Sequence, residues 1–538
     1  MKSQHPIWRG ALILTAAGFA SRFIGFFYRI FLSNAIGAEG MGLYQLVFPV
    51  YAMMISFTTA GIQTAVSRHV SARAAAGDRR DAREILFAGL SVSLALSLAA
   101  AFLVSAGSGF LAEHFLFEPR CAPLLRLAAW AVPFGCIHAC LAGYYIGLQR
   151  TDIPALSQLA EQLVRVTASW LIFCVLLEQG IAPGPILAVG GMLAAELVSS
   201  LFTGTIFLFM EVPQGLSIRR HSHTENSHAS RARGPRLPRK KAYHSVLSMA
   251  APLTGTRVIM NFLHSAQAAL LPVTLQAHGL TSSQALSQYG ILTGMAMPLI
   301  MFPSAIANGL STMLLPSVSE DLSLNRPDHI RQTVESTVST SLWLGIFCTG
   351  GFLLTGKELG VVLFGSPEAA PFIQTLAWLC PFLYLDTTLS SILHGLGRLK
   401  ETFFLNAGGH ILQLAFTLLA VPRFGIAAYL WGILASQLLS AFLALFLVYR
   451  YTAFSFHVMD WTVKPLLSIV ISAGIYRFWN GLLSRLPFSV PSLVGMLISG
   501  LTMSLTFFFF MYLSFRPAQK TQPPRPGKAS AETSAPCE

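Results

Sequence analysis

Apolar runs of about 20 residues recur from one end of this 538-residue chain to the other, the length a helix needs to cross a bilayer. The hydrocarbon core offers no partner for a free backbone N–H or C=O, so each run must satisfy its own backbone as a helix. Period-2 alternation, the mark of a membrane β-barrel, is absent. The pattern therefore predicts an all-α integral membrane protein with about fourteen transmembrane helices. Composition agrees: 11% of residues are charged, against about 25% in a soluble domain.

The first apolar run follows Lys2 and Arg9. It is longer than the 7–15-residue core of a cleaved signal peptide, so it reads as the first span. Cys136, Cys140, Cys174, Cys348 and Cys380 fall in predicted spans without metal-ligand spacing. Cys136 and Cys140, four residues apart, read as small-residue helix packing. No metal and no cofactor is expected.

A net charge of +13 invites a nucleic-acid reading, but the positions of the cations exclude it. Loops on one side of the fourteen spans carry 26 Lys/Arg, and loops on the other carry four, Arg120, Lys357, Arg423 and Arg485. That asymmetry predicts a multi-pass cell-membrane protein with both termini cytoplasmic. Segment 211–245 is basic, polar and free of apolar periodicity, and it reads as a cytoplasmic linker in contact with anionic lipid. The expected organisation is an N-lobe over 1–210, this linker, a C-lobe over 246–450, two further helices over 451–515, and a disordered tail over 516–538.

The lobes are expected to be duplicates. LAAWAVPFGCIHACLAGYYIGLQR (127–150) aligns without a gap on TLAWLCPFLYLDTTLSSILHGLGR (375–398), an offset of 248. The same offset pairs GIQTAVS (61–67) with GLSTMLL (309–315), and SRFIGFFYR (21–29) resembles TRVIMNFLH (256–264) at an offset of 235. Six helices per half is an even number, so two pseudo-symmetric six-helix lobes share one orientation and bind substrate between them.

Charged residues inside the spans are the candidate site. Each guanidinium at bilayer depth costs roughly 2.5–3.5 kcal/mol on insertion scales, so a chain that keeps one is using it. Arg126 and Arg477 stand near span ends and can snorkel. Arg22, Arg29, Arg165 and Arg257 cannot. The repeat makes Arg22 and Arg257 equivalent, and planar guanidinium forks at such positions suit a diphosphate. Arg29 follows Arg22 by seven residues, about two turns. Glu161 and Arg165 are spaced for an i, i+4 ion pair. Asp386 occupies the position equivalent to His138, and these two with Glu196 are candidates for ion or proton coupling. No phosphate-binding loop is present, and no long loop carries a carboxylate or His constellation, so the chain does not read as an enzyme.

AGFASRFIGFFYR, IGAEGMGLYQLVFPVY, LSQLAEQLVRV and SQYGILTGMAMPLIMFPSAIANGLSTMLLPSVSE closely resemble the stage V sporulation protein B and polysaccharide-biosynthesis family. That family belongs to the multidrug/oligosaccharidyl-lipid/polysaccharide exporter superfamily, with the MurJ-type lipid II flippases as relatives. The resemblance covers roughly residues 5–515. It implies a V-shaped bundle of two lobes with alternating access. It also implies flipping of an undecaprenyl-diphosphate-linked saccharide, lipid II for spore cortex peptidoglycan, in an endospore-forming bacterium. In the MurJ-type relatives, cavity arginines on the first and seventh helices are functional. Arg22 fits the first in SRxxG and Arg257 its counterpart in TR. The pattern's second first-helix arginine aligns with Tyr28, and here the charge is at Arg29, about 100° further round the helix. The last two helices would supply a groove for the polyprenyl tail. Two other functions fit some features: a cation-coupled multidrug antiporter of the same superfamily, and a scaffold recruiting cell-wall synthesis enzymes through the basic linker. The partners expected are a lipid-linked oligosaccharide and membrane lipids.

Overall fold

The computed structural model describes residues 5–221, 238–483 and 492–515. The expected tail, 516–538, and the middle of the expected linker lie outside those residues. Every described element is a helix or a turn, as the apolar runs demand. Among the described residues, nine helices are long and apolar enough to cross a membrane, or up to eleven if each bent pair is one span. The fourteen predicted spans are compatible with that figure, because the stretch Ile13–Ala75 alone carries two of them.

Helix α1, His5–Ile55, is broken at Gly37, which adopts φ 69° and ψ −179°. That backbone region is essentially closed to residues with a Cβ. A straight helix would separate Arg22 from Phe48 by about 39 Å, yet both line one cavity of 520 Å³. The chain therefore reverses at Gly37, and 5–36 and 38–55 are the two arms of a hairpin. The Gly-rich IGAEGMG segment serves as a turn of almost no length.

Next come α2 (Gly61–Ala75), α3 (Arg79–Ala106), α4 (Ala122–Gly147), α5 (Asp152–Glu178) and α6 (Ile186–His221). The second half begins with α7 (Arg239–Ala277), α8 (Ser282–Gly290) and a π-helical turn, Ile291–Ala296. It continues with α9 (Ser304–Ser323), α10 (Pro327–Phe364), α11 (Ala369–Ala377), α12 (Cys380–Gly395), α13 (Leu399–Leu419) and α14 (Ile426–Thr452). Helix extends through both edges of the expected linker. The N-lobe anchors those edges: Arg83 donates to the Glu211 carbonyl at 3.2 Å, Tyr144 donates to the Glu211 carboxylate at 3.3 Å, and the Tyr243 and Ser91 hydroxyls pair at 2.9 Å.

The duplication is visible in three dimensions. A Cβ on Gly147 would stand 2.6 Å from the Ser67 carbonyl and 2.9 Å from Val70; one on Gly395 would stand 3.1 Å from the Leu315 carbonyl and 2.9 Å from Val318. Every one of those residues pairs with its counterpart at the offset of 248. Gln149 and Gly397, also related by 248, both take positive φ, 61° and 77°, just beyond the helix ends. The copies differ where prolines stand. Pro133 sits inside continuous α4, whereas its counterpart Pro381 opens α12 after a 54° bend from α11.

Among the described residues, those up to Phe456 form one compact unit and those from His457 onward another. Within the second, α15 (Lys464–Leu483) packs on α16 (Ser492–Phe515).

Within the first unit, the Lys/Arg-poor end is sealed by a seam between the halves. Gly42 and Gly290 let the 38–55 arm and α8 touch through their backbones: a Cβ on Gly290 would lie 1.9 Å from the Ala38 carbonyl, and one on Gly42 2.2 Å from the Leu286 carbonyl. A polar latch flanks them. Arg120 bridges Glu39 and Glu118, each at 2.7 Å. Ser283 donates to Glu39 at 2.7 Å and Ser282 to Glu118 at 2.9 Å. Burial pushes the Glu118 carboxyl up, but the hydrogen bonds from Arg120 and Ser282 outweigh it and hold the carboxyl below its ordinary value.

Because the glycine contacts are to backbone, no rotamer change relieves a larger residue there. In a cysteine-free background, a Glu39→Cys/Ser283→Cys pair should cross-link on mild oxidation. Adding Gly290→Val should abolish the cross-link by prising the seam apart. Equally rapid cross-linking with Val present would contradict this packing.

Candidate functional site

Three of the four unexplained arginines share one cavity. Arg22 and Arg29 reach it from the 5–36 arm and Arg165 from α5, and the opposite wall is the stretch from Thr293 through Phe302 to Asn308. The Phe26 and Phe302 rings, 4.7 Å apart, form its apolar side. Tyr28 lines the cavity as well as Arg29. The hairpin presents a broad face, so the 100° shift from Tyr28 to Arg29 keeps the charge inside. Helix α5 is held against that arm by a hydrogen bond between the Tyr28 and Ser169 hydroxyls, at 2.8 Å.

The charges in this cavity are unbalanced. Among the described residues, no Asp or Glu lines it. Arg165 is ion-paired with Glu161, the i, i+4 partner expected from sequence. Its Nε remains buried without a hydrogen-bond partner, as does the Ser21 hydroxyl at the cavity wall. Arg29 donates to the Thr293 carbonyl at 3.3 Å, which leaves its charge unneutralised. Arg22 is exposed to the cavity and has no ion pair or hydrogen bond among the described residues. Such a site offers several guanidinium donors to one anion at bilayer depth, where a charge-assisted hydrogen bond is strong.

The remaining predicted residues lie elsewhere. Arg257 is exposed on α7, lines neither of the two cavities described here, and has no ion pair or hydrogen bond among the described residues. Val246 and Ala250 explain its placement, because they bind the first half of α7 into an apolar cluster with Ile62, Val66 and Leu86. Glu196 is buried and accepts a hydrogen bond from Tyr51 at 2.7 Å. His138 pairs with Ser157, Nδ1 to Oγ 3.0 Å. Asp386 lines a second cavity, with His264 and His410 from the second half and Gln45 and Pro49 from the 38–55 arm. Glu196 and His138 both lie within electrostatic reach of Glu161, so two of the three coupling candidates share surroundings and Asp386 stands apart from them.

Sequence reasoning that followed charge alone missed the amides. Gln158 and Gln162 line the arginine cavity one turn apart on α5. Asn406, His410 and Gln413 line the second cavity at i, i+4 and i+7 on α13. A polar stripe at that spacing within an apolar span was a readable signal.

Residues 7–322 match the model of a family described as polysaccharide biosynthesis protein. The chain is 27% identical to stage V sporulation protein B of Bacillus subtilis over 482 residues, which is 88% of this chain and 90% of the relative. It is 26% identical to the lipid II flippase MurJ of Bacillus subtilis over 497 residues, 86% of each. Among solved structures, a lipid II flippase MurJ in an inward closed conformation has the same fold. Its TM-score is 0.70 at 14% identity, with 94% of this chain and 99% of that one covered.

Proposed function

The chain belongs to the polysaccharide biosynthesis protein family, and from that premise we propose that it is a flippase. It carries an undecaprenyl-diphosphate-linked saccharide, lipid II for peptidoglycan and spore cortex synthesis, across the cytoplasmic membrane by alternating access. The observation that carries this reading is the cavity with Arg22, Arg29 and Arg165 on its walls and no carboxylate among its described lining residues. A diphosphate is a multivalent anion with acceptor oxygens on every side. Guanidinium forks bind it through parallel hydrogen bonds, and the apolar surroundings strengthen each one.

The cavity's charge also argues against a drug antiporter. A cationic substrate needs carboxylates; among the described residues none lines this cavity, and Glu161 beside it is already engaged by Arg165.

The arrangement supports a cycle without covalent chemistry. By the positive-inside rule the sealed end faces outward and both termini are cytoplasmic. The substrate enters from the cytoplasmic side, its diphosphate replaces water on the three arginines, and the lobes then part at the glycine seam while closing behind the substrate. Breaking the latch gives up hydrogen bonds to the Glu39 and Glu118 carboxylates, each worth about 1.5–3 kcal/mol, and parts the apolar cluster of Leu43, Leu46, Leu286 and Tyr289; substrate binding shifts that equilibrium. Asp386, His138 and Glu196 are the groups available to couple the cycle to an ion. The basic linker touches anionic lipid, and recruitment of cell-wall synthesis enzymes falls to it as a function separate from translocation.

Two outcomes test this account. Arg22→Ala and Arg29→Ala should each lower lipid II exposure at the outer leaflet about 10- to 100-fold, with Lys at either position restoring part of the loss. Undiminished flipping in both Ala variants would remove the diphosphate grip. Loss in Arg257→Ala would place that residue on the path as Arg22's partner in the cycle. Deletion of 215–240 should leave flipping intact; its loss would make the loop the working part and favour the scaffold.

A further inference from the structure

A second cavity, 350 Å³ in volume, is lined mostly by residues of the second half, with Gln45 and Pro49 of the 38–55 arm completing its wall; the volume is within the size range of small-molecule sites. Its chemistry differs from that of the arginine cavity. His264, Asp386, Asn406, His410, Gln413 and Gln437 supply much of its polar wall, and none of its described lining residues is Lys or Arg. Amides, imidazoles and a single carboxylate offer both donors and acceptors with little net charge. That is the complement of a ligand rich in hydroxyl and amide groups.

The two cavities adjoin. Thr293 and Met297 line both. The Thr293 carbonyl accepts from Arg29 at 3.3 Å on one side and from Gln45 at 3.2 Å on the other. The shared wall is the π-helical turn Ile291–Ala296, a distortion that recurs at functional sites.

Some of the polar groups here hold the scaffold, and others are free. Gln267 donates to the His410 carbonyl at 2.7 Å and ties α7 to α13; Gln413 donates to the Tyr429 hydroxyl at 2.9 Å and ties α13 to α14. By contrast, His410 Nδ1 is buried with no hydrogen-bond partner, and Gln437 stands beside the Asp386 carboxylate. Asn406 has none among the described residues. The His410 ring stands against His264 at 4.2 Å between centroids, which fixes its orientation. Buried polar atoms left unpaired in a fixed frame call for a partner that enters from outside.

We propose that this cavity receives the uncharged saccharide portion of the substrate while its diphosphate lies on Arg22, Arg29 and Arg165. The inference rests on the lipid-diphosphate reading above and assigns the head-group specificity of the same site. Asn406 and Gln437 contact sugar hydroxyl and amide groups directly.

The test uses the full-length protein in lipid nanodiscs and two probes, lipid II and undecaprenyl diphosphate, which has no sugar. Asn406→Leu and Gln437→Leu should each weaken lipid II binding about tenfold and leave undecaprenyl diphosphate binding unchanged. The unchanged probe also reports that the variants are folded. Equal weakening of both probes, or unaltered lipid II affinity, overturns the saccharide assignment. Unaltered affinity with lost translocation would instead make the cavity an ion-coupling site. Arg29→Ala serves as the control for the underlying reading and should weaken both probes alike. If it weakens neither while the Asn406 and Gln437 variants still discriminate, the diphosphate grip fails and the saccharide assignment stands.

Discussion

Three guanidinium groups around one membrane-embedded cavity, with a single carboxylate paired to one of them, is the constraint on which the rest of the structure depends. Each such charge is costly at bilayer depth, and an ion pair alone would be the cheapest remedy. The chain applies that remedy once, at Glu161 and Arg165, and leaves Arg22 and Arg29 unneutralised. The surrounding helices hold this unbalanced charge in place. Gly37 turns the first helix back so that both arms line the cavity, and the Tyr28–Ser169 hydrogen bond fixes α5 beside them.

Holding an anion is only half of transport; the site must also change the side it faces. The seam at Gly42 and Gly290 permits intimate backbone contact, flanked by Tyr289, which donates to the Gln45 carbonyl at 3.3 Å. The latch beside it adds serine hydroxyls on carboxylates to an apolar cluster that Leu43, Leu46 and Val47 share with Leu286, Tyr289 and Leu292. The polar partners can be replaced by water as the seam opens, whereas the apolar part costs free energy in proportion to the surface it exposes, a cost that substrate binding must offset. The duplicated architecture places matching helix pairs in each half, and the two cavities adjoin at Thr293 and Met297.

Much of this was legible in the amino-acid order. Apolar length implied the helical class, and the 248-residue offset implied duplicated halves, which the structure shows down to matching contacts of Gly147 on Val70 and Gly395 on Val318. Arg22 stood out because a charge inside a first span has no cheap explanation. Other features depend on how helices rotate and pack. Arg29 reaches the cavity because the hairpin shows a wide face, and Arg165 joins it because α5 lies across that face, neither of which a linear pattern encodes. Sequence equivalence linked Arg257 to Arg22, but the two halves pack unequally: the first half of α7 is bound into the N-lobe cluster. The second cavity went unread for a simpler reason. Its residues are neutral amides and imidazoles, visible as a stripe on α13 only when polarity rather than charge is followed.

The most direct test of the account is an experimental structure of the full-length protein in lipid nanodiscs with lipid II added. The account predicts diphosphate density within hydrogen-bonding distance of Arg22, Arg29 and Arg165. Lipid II seated elsewhere, with water on all three guanidiniums, would contradict it.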